Sequence, residues 1–504
     1  MIKTCLSVLL GVIALTLVGA RDAQARWLMA ESPQFIVYSD GEEPGLRKFT
    51  QNLENYDRVL RLLTGVRAPP SATKFHVYLV AGQSGIQRVD PYMEMDAYGV
   101  YFAAPQAVFA LAVRNDVSDD QLKGQVIVFH EYTHYFASQY FPAAYPVWYQ
   151  EGFAEYCSTM TFERDGVHIG AFAPNRTDWL LTSAWMPIED VIAPRQGKSD
   201  TKNPQFYPES WLSAHYLLSD EARKVKLAKY LLALQQGADA KVAFHSAFGV
   251  EFDAFQKTLS KYVVSGMPGL ILHNIPLPDV PMTVTTLPAS ADRLLLDHAR
   301  LQIGAVNDNE KSKFLQQIRD EAAAFPDDPL ALRSLGLAET RYGDSAKADA
   351  ALDRLLAADP RDLEALYLKG LRYIEAGSKD AANRADLYAR AQPYLIRAHQ
   401  VDANSYQALY LFGVSLGGSS SVTPKYVADV LMAAHQLAPQ VEDIAVAAAA
   451  ALINIKDFKT AEIVLERVAY APHPGALNST ARKMLEQAEA GDAAASAPAA
   501  SPAK

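Results

Sequence analysis

Cysteine is nearly absent from this sequence, which has only Cys5 and Cys157 in 504 residues. A disulfide scaffold and the cysteine-rich classes of zinc site are therefore excluded, because both need several cysteines. Any metal site must instead be built from the 11 histidines and from carboxylates.

Clusters of basic residues are also missing. Lysine and arginine total 47 against 57 aspartates and glutamates, for a net charge of -10. This balance disfavours nucleic-acid binding, which depends on clustered positive charge. The chain is 50% hydrophobic and 21% charged, as expected of folded globular proteins, and is long enough for about two to four domains.

The N-terminus has the pattern of an export signal. Lys3 precedes an apolar run over residues 6–20, and Ala23-Gln24-Ala25 forms an A-x-A cleavage site. Residues 1–25 are therefore predicted to be a signal peptide, and the protein to be periplasmic or extracellular. An uncleaved membrane anchor is the alternative, although the run is shorter than the roughly 20 residues that span a bilayer. No later segment is long and apolar enough to span a membrane.

Residues 26–264 show mixed strand and helix patterns. Short β-branched and aromatic runs predict strands at 35–38, 75–80, 98–102 and 107–113, and residues 164–167 predict a hairpin. A first helix is predicted at 45–63. A second begins at a capping box formed by Ser118 and Gln121 and ends at about residue 140, and a third begins at Pro146. This region is expected to be an α+β domain.

The rest of the chain divides into three parts. Five prolines in residues 265–288 predict a connector. In residues 289–490 the small residues Gly336, Gly370, Gly413 and Ala449 recur at spacings of 34, 43 and 36. This pattern resembles tetratricopeptide (TPR) repeats, which implies an all-α solenoid that binds a protein partner. Residues 491–504, rich in alanine, serine and proline, are expected to be a disordered tail.

A metal-binding motif lies in the second predicted helix. His130, Glu131 and His134 form H-E-x-x-H, which places two imidazoles one helical turn apart on one face. The two histidines suit zinc, and Glu131 can act as general base toward a water. Glu151 follows His134 by 17 residues on the next helix. A short loop can bring this carboxylate back to the histidines as a third ligand.

The segment around Glu151 carries a family resemblance. Residues 148–154, WYQEGFA, resemble the W-L-N-E-G-F-A segment of gluzincin metallopeptidases, and residues 145–156 resemble P-x-W-x-x-E-G-x-A-E-Y of the peptidase MA-like group. The resemblance covers about residues 30–264. It implies a thermolysin-like fold, zinc bound by His130, His134 and Glu151, and an active-site helix beside a sheet edge. The histidine-to-glutamate spacing is two residues shorter than in the aminopeptidase branch, and no G-A-M-E-N segment is present, which disfavours an aminopeptidase.

Further site residues are expected around this core. Glu155 lies one turn after Glu151 and can accept the N–H of a ligand histidine, with a surface carboxylate as the alternative. For stabilisation of the oxyanion, Tyr207 is favoured on its resemblance to a Y-x-x-S-W segment of the MA-like group, and His215 is the alternative. A strand edge is expected to hold an extended peptide, and residues 107–113 are the candidate for this edge.

Together these features predict an exported zinc metallopeptidase that acts on peptide or protein substrates, with a repeat region that recruits a partner. The alternative is a protein-binding scaffold, or a quality-control factor of the cell envelope, in which the peptidase-like domain is weakly active or inactive.

Overall fold

The computed structural model describes residues 27–93, 98–114, 123–141, 144–171, 174–194, 199–417, 421–471 and 475–496. The predicted signal peptide and the capping box at Ser118 lie outside these residues. The protein is mostly helical, with a mixed sheet near its N-terminus and a small second sheet. In the part of the chain that the structure describes, no helix combines the length and apolar character needed to cross a membrane.

The larger sheet has the strand order β4-β5-β3-β2-β1-β9. Its strands are β1 (Leu28–Glu31), β2 (Phe35–Ser39), β3 (Phe75–Val80), β4 (Gly99–Ala103), β5 (Val108–Val113) and β9 (Thr283–Thr286). Strands β2, β3 and β5 are parallel to one another, and the remaining pairs are antiparallel. The expectation that residues 107–113 form the free edge is wrong, because β5 pairs on both sides. Among the described residues, the edge strand at this end is β4.

Both faces of this sheet are covered by helices, since a sheet with parallel central strands buries both faces. On one face lie α1 (Glu43–Thr64) and α3 (Lys123–Tyr140), joined to the sheet by a core that includes Phe35, Val77 and Phe129. On the other face lie α2 (Gln83–Val89) and α11 (Ala291–Ile303). The first helix of the repeat region thus completes the core of the N-terminal domain.

A helical lobe follows α3 and has its own core of buried aromatic residues, including Trp148 and Trp211. Its helices are α4 (Val147–Ser158), α5 (Pro174–Thr182), α6 (Ile188–Ile192), α7 (Phe206–Leu218), α8 (Glu221–Gln235), α9 (Ala240–Phe248) and α10 (Phe252–Val264). The second sheet has the order β6-β7-β8, with β6 (Thr161–Glu163), β7 (Gly166–Ile169) and β8 (Leu270–Leu272).

The proline-rich segment 265–288 differs from a simple connector. It contains β8, which pairs with β7, and β9, which pairs with β1. Both strands avoid the prolines and lie at sheet edges, where proline in the flanking chain is tolerated. The segment therefore ties the two sheets of the N-terminal domain together.

The repeat region is an array of stacked helices. Its helices after α11 are α12 (Lys311–Ala323), α13 (Pro329–Tyr342), α14 (Ser345–Ala358), α15 (Leu363–Lys379), α16 (Arg384–Val401), α17 (Tyr406–Leu416), α18 (Pro424–Leu437), α19 (Glu442–Asn454), α20 (Phe458–Ala469) and α21 (Asn478–Ser496). Helix α21 extends six residues into the predicted tail, and residues 497–504 lie outside the described residues.

The recurring glycines have the role that their spacing predicts. A Cβ atom at Gly336 would lie 2.7 Å from Leu352 Cδ2 of the next helix, and one at Gly413 would lie 2.6 Å from Leu431 Cδ2. Gly370 faces Leu395 in the same way. Since real Cβ atoms do not approach that closely, glycine permits the close contact of α13 with α14, α15 with α16 and α17 with α18.

The far end of the array returns to the N-terminal domain. Gln139, at the end of α3, donates to Gln440 Oε1 at 2.9 Å, and Arg467 donates to the carbonyl of Ser138 at 3.0 Å. Tyr406 belongs to an apolar cluster that reaches Ala103 of β4. The repeat array therefore lies beside both α3 and the edge strand.

Candidate metal centre

Helix α3 presents its two histidines on the side away from the sheet. Phe129 and Phe136 are fully buried in the core, and Tyr132 donates to Asp57 of α1 at 2.8 Å. These contacts fix the rotation of the helix about its axis. His130 and His134 consequently lie together, with side chains only 13% exposed.

Helix α4 packs against α3 and brings Glu151 to the histidines, as the sequence predicts. The carboxylate is completely buried. The two Nε2 atoms lie 3.1 Å apart, Glu151 Oε2 lies 3.4 Å from His130 Nε2, and Glu151 Oε1 lies 3.7 Å from His134 Nε2. Ligand atoms of all three residues lie within 4.8 Å of one another.

This spacing fits zinc. Ligand atoms about 2.0–2.1 Å from a tetrahedral zinc ion are roughly 3.3 Å apart, close to the observed separations. Two imidazoles and one carboxylate are also a donor set found in catalytic zinc sites, where a fourth position stays open. His130, His134 and Glu151 therefore have both the chemistry and the spacing to hold the ion.

The local charge favours a cation. Burial by itself would lower the pKa of His130, but the hydrogen bond to Glu151 and the charges of Glu155, Glu131 and Glu151 raise this pKa to about 9. The same carboxylates that stabilise a protonated imidazole would stabilise a divalent ion in its place.

Glu155 lies on the outer side of His130. Its Oε1 is 3.6 Å from His130 Nδ1, the nitrogen that does not face Glu151. Arg176 of α5 holds this carboxylate through Nε at 3.2 Å and a terminal nitrogen at 2.5 Å. Burial lowers the pKa of Arg176 but Glu155 raises it, and the net shift is upward. Glu155 thus has the position of a residue that orients a ligand imidazole.

Arg176 was not found from the sequence. It lies on a separate helix, 21 residues after Glu155. No motif in the sequence connects it with the histidines, so only the tertiary packing of α5 against α7 reveals it.

Gly152 allows α4 and α7 to touch. A Cβ at this position would overlap the backbone carbonyl of Ser210 and lie 2.9 Å from Ala214 Cβ. Gly152→Ala is therefore expected to cost about 1–3 kcal/mol of stability and to displace the neighbouring Glu151, weakening zinc binding. Thermal unfolding and zinc titration of the variant check this. Gly45→Ala is the control, since no atom lies within 4 Å of that Cβ, and equal behaviour of the two variants would contradict the argument.

Glu131 and His134 line a cavity of about 620 Å³. One wall is the edge strand β4, through Tyr101 and Ala103. The opposite wall comes from the end of the repeat array and includes Pro439, Gln440, Arg467, Val468, Tyr470 and Leu477. The side chain expected to act as general base thus faces a space bounded by both parts of the chain.

The two candidates for the oxyanion role differ in their surroundings. Tyr207, at the start of α7, is half-buried, and the guanidinium carbon of Arg176 lies 5.6 Å from its ring centre. Burial, together with the charge of Glu151, raises the pKa of Tyr207 to about 12, so its hydroxyl remains a donor at neutral pH. His215 is completely buried, and its ring nitrogens lie 2.9 Å from Gly170 O and 3.0 Å from Tyr262 Oη. This geometry favours Tyr207.

Neither a protein-family model nor a curated protein sequence matches this chain. Among solved structures, the chain is similar to the crystal structure of a thermophilic TPR protein of Thermus thermophilus. The similarity has 18% sequence identity and a TM-score of 0.33, and it covers 40% of this chain and 100% of the other. A TPR protein is thus among the structural neighbours of this chain.

Proposed function

We propose that the protein is a zinc-dependent metallopeptidase that hydrolyses peptide bonds of protein substrates. The observation that carries the proposal is the cluster of His130, His134 and Glu151, whose ligand atoms lie within 4.8 Å of one another beside Glu131. We also propose that residues 26–264 form a gluzincin-type domain, on the sequence resemblance described above.

A zinc ion in this cluster would supply a Lewis acid that lowers the pKa of a bound water and polarises the substrate carbonyl. The protein's own residues do the rest. Glu131 accepts the proton of the attacking water and passes it to the leaving amine. Tyr207 donates its hydroxyl to the carbonyl oxygen as negative charge develops there. Arg176 holds Glu155, which orients His130.

The substrate would bind as an extended segment along β4. This strand is an edge strand among the described residues, and its Tyr101 and Ala103 face the same cavity as Glu131. An extended peptide can pair with such an edge through backbone hydrogen bonds. The size of the cavity suits a short unfolded segment rather than a folded domain. With the predicted signal peptide, we propose that hydrolysis takes place in the periplasm or outside the cell.

Zinc-dependent cleavage tests the proposal directly. The purified full chain is expected to bind one zinc ion per molecule and to cleave an unfolded protein substrate. Treatment with a chelator should abolish the cleavage, and added zinc should restore it. Zinc content is measured by atomic absorption and cleavage by mass spectrometry of the products. A protein that retains no zinc, or cleaves equally well after complete metal removal, would overturn the proposal.

A protein-binding scaffold is the second candidate, and the stacked helix pairs of the repeat region favour it. Such arrays bind partners through extended surfaces. In this case the repeats would carry the function, as a partner-binding or envelope quality-control factor, and a folded, metal-free protein would bind its partner as tightly as the zinc-loaded form.

A further inference from the structure

Arg467 brings a positive charge from the repeat array into the cavity that contains Glu131 and His134. It lies near the end of α20 and donates to the carbonyl of Ser138 at 3.0 Å. Ser138 follows His134 by one helical turn, about 6 Å along the helix axis. The guanidinium is therefore held at the wall of this cavity, about one helical turn along α3 from His134.

The pairing of this guanidinium differs from that of three other partly buried arginines. Arg176, Arg319 and Arg333 each form an ion pair with a carboxylate. Within the described part of the chain, no carboxylate forms an ion pair with Arg467. Burial lowers the pKa of Arg467 to about 10, and no carboxylate among the described residues offsets this effect. A desolvated cation without an anion is costly, so the site is suited to an anionic ligand.

The surroundings of Arg467 suit a peptide. Apolar surface lines the cavity through Tyr101, Phe141, Tyr145, Val468 and Leu477. Two acidic residues, Glu442 and Asp443, also line it, and burial raises the pKa of both. Glu442 accepts backbone N–H groups of Gly475 at 3.2 Å and Leu477 at 3.4 Å, so it stabilises the loop before α21.

We propose that Arg467 binds a carboxylate of the peptide substrate within one or two residues of the scissile bond. The proposal rests on the metallopeptidase function proposed above and assigns part of substrate selection to the repeat array. The carboxylate would belong either to the free C-terminus of the peptide or to an acidic side chain. A guanidinium can bind either one through two parallel hydrogen bonds.

Matched peptides test this assignment and separate the two sources. Two pairs of peptides are used. The peptides of the first pair differ only at the C-terminus, which is a free carboxylate in one and an amide in the other. The peptides of the second pair differ only in having Glu or Gln beside the cleavage site. For wild type, the acidic member of one pair is expected to have a kcat/KM at least about tenfold higher, because a charged hydrogen bond is worth that much or more. In Arg467→Met the preference should disappear, mainly through a higher KM, and Arg467→Lys should retain part of it.

A control variant and a measurement of the melting temperature keep the outcome decisive. Arg397→Met removes another repeat arginine that donates to a backbone carbonyl, at 2.9 Å, but does not line the cavity, so it should leave the preference unchanged. If Arg467 only holds α20 against α3, Arg467→Met will lower the melting temperature and affect all peptides equally. That result, or an unchanged preference, would overturn the inference.

Binding to zinc-loaded Glu131→Gln separates this inference from the proposed function. A dissociation constant for each peptide, measured by calorimetry, reports carboxylate recognition without hydrolysis. If the protein prefers peptides with the carboxylate, this preference depends on Arg467, and the wild type cleaves no peptide, only the peptidase function is overturned. Cleavage without any preference for a carboxylate would overturn the role of Arg467 alone.

Discussion

Replacing Glu131 by glutamine is expected to lower kcat/KM for peptide hydrolysis by at least about 100-fold, the usual contribution of a general base. Glutamine has nearly the same shape but cannot accept the proton of the attacking water. Because Glu131 is not one of the three clustered ligands, zinc content should stay at the wild-type level. Cleavage of an unfolded protein is measured by mass spectrometry, and zinc by atomic absorption on the same samples.

Glu163→Gln is the matched control for this variant. Glu163 is an exposed glutamate on β6 and does not line the cavity, so its replacement should leave the rate unchanged. If Glu131→Gln cleaves as fast as the control, the general-base role of Glu131 is wrong. If it also loses its zinc, the lost activity cannot be assigned to proton transfer, and Glu131 would belong to the ligand set.

The second large effect is the stabilisation of the folded protein by zinc. Zinc that binds only the folded protein adds about 4 kcal/mol when its free concentration is 1,000 times the dissociation constant. For a domain of this size, that corresponds to a rise in melting temperature of roughly 8–16 °C. His134→Ala should abolish this rise because it removes one of the three clustered ligands. Calorimetric scans with added zinc and with chelator measure the difference for each protein.

His245→Ala provides the comparison. His245 is exposed on α9, and it lies outside the metal cluster. This variant should show the full stabilisation by zinc. A rise in melting temperature for His134→Ala as large as that of the control would mean that zinc binds elsewhere on the chain.

Much of the architecture could be predicted from local sequence patterns. The predicted helix at 45–63 corresponds to α1, Glu43–Thr64, and the predicted hairpin at 164–167 is the turn between β6 and β7. Gly336 and Gly413 marked the close contacts of successive repeat helices. These features depend on neighbours in the chain or on a regular spacing, so the local sequence is enough to reveal them.

Pairings between distant segments could not be predicted. The strand expected at the sheet edge, 107–113, lies inside the sheet because β4 pairs with its outer side. The proline-rich segment 265–288 contains β8 and β9, whose partners begin roughly 100 and 255 residues earlier. Strand order depends on which edges meet in the folded chain, and the polar and apolar pattern of one strand does not specify its partner.

The sequence by itself determined the chemistry of the candidate centre. Helical periodicity places the imidazoles of His130 and His134 on one face of a helix, with Glu131 next to them. The segment around Glu151 supplies the third donor group. The position of Glu155 one turn after Glu151 also predicted its place beside a ligand histidine. Only the tertiary structure showed that this histidine is His130, and placed Arg176 on Glu155, Tyr207 beside Arg176, and Arg467 in the cavity. These positions arise because α7 packs against α4, α5 packs against α7, and α20 reaches α3 through the hydrogen bond of Arg467. The free energy of that packing comes from burying apolar surface between distant segments, and no local sequence motif specifies which segments meet.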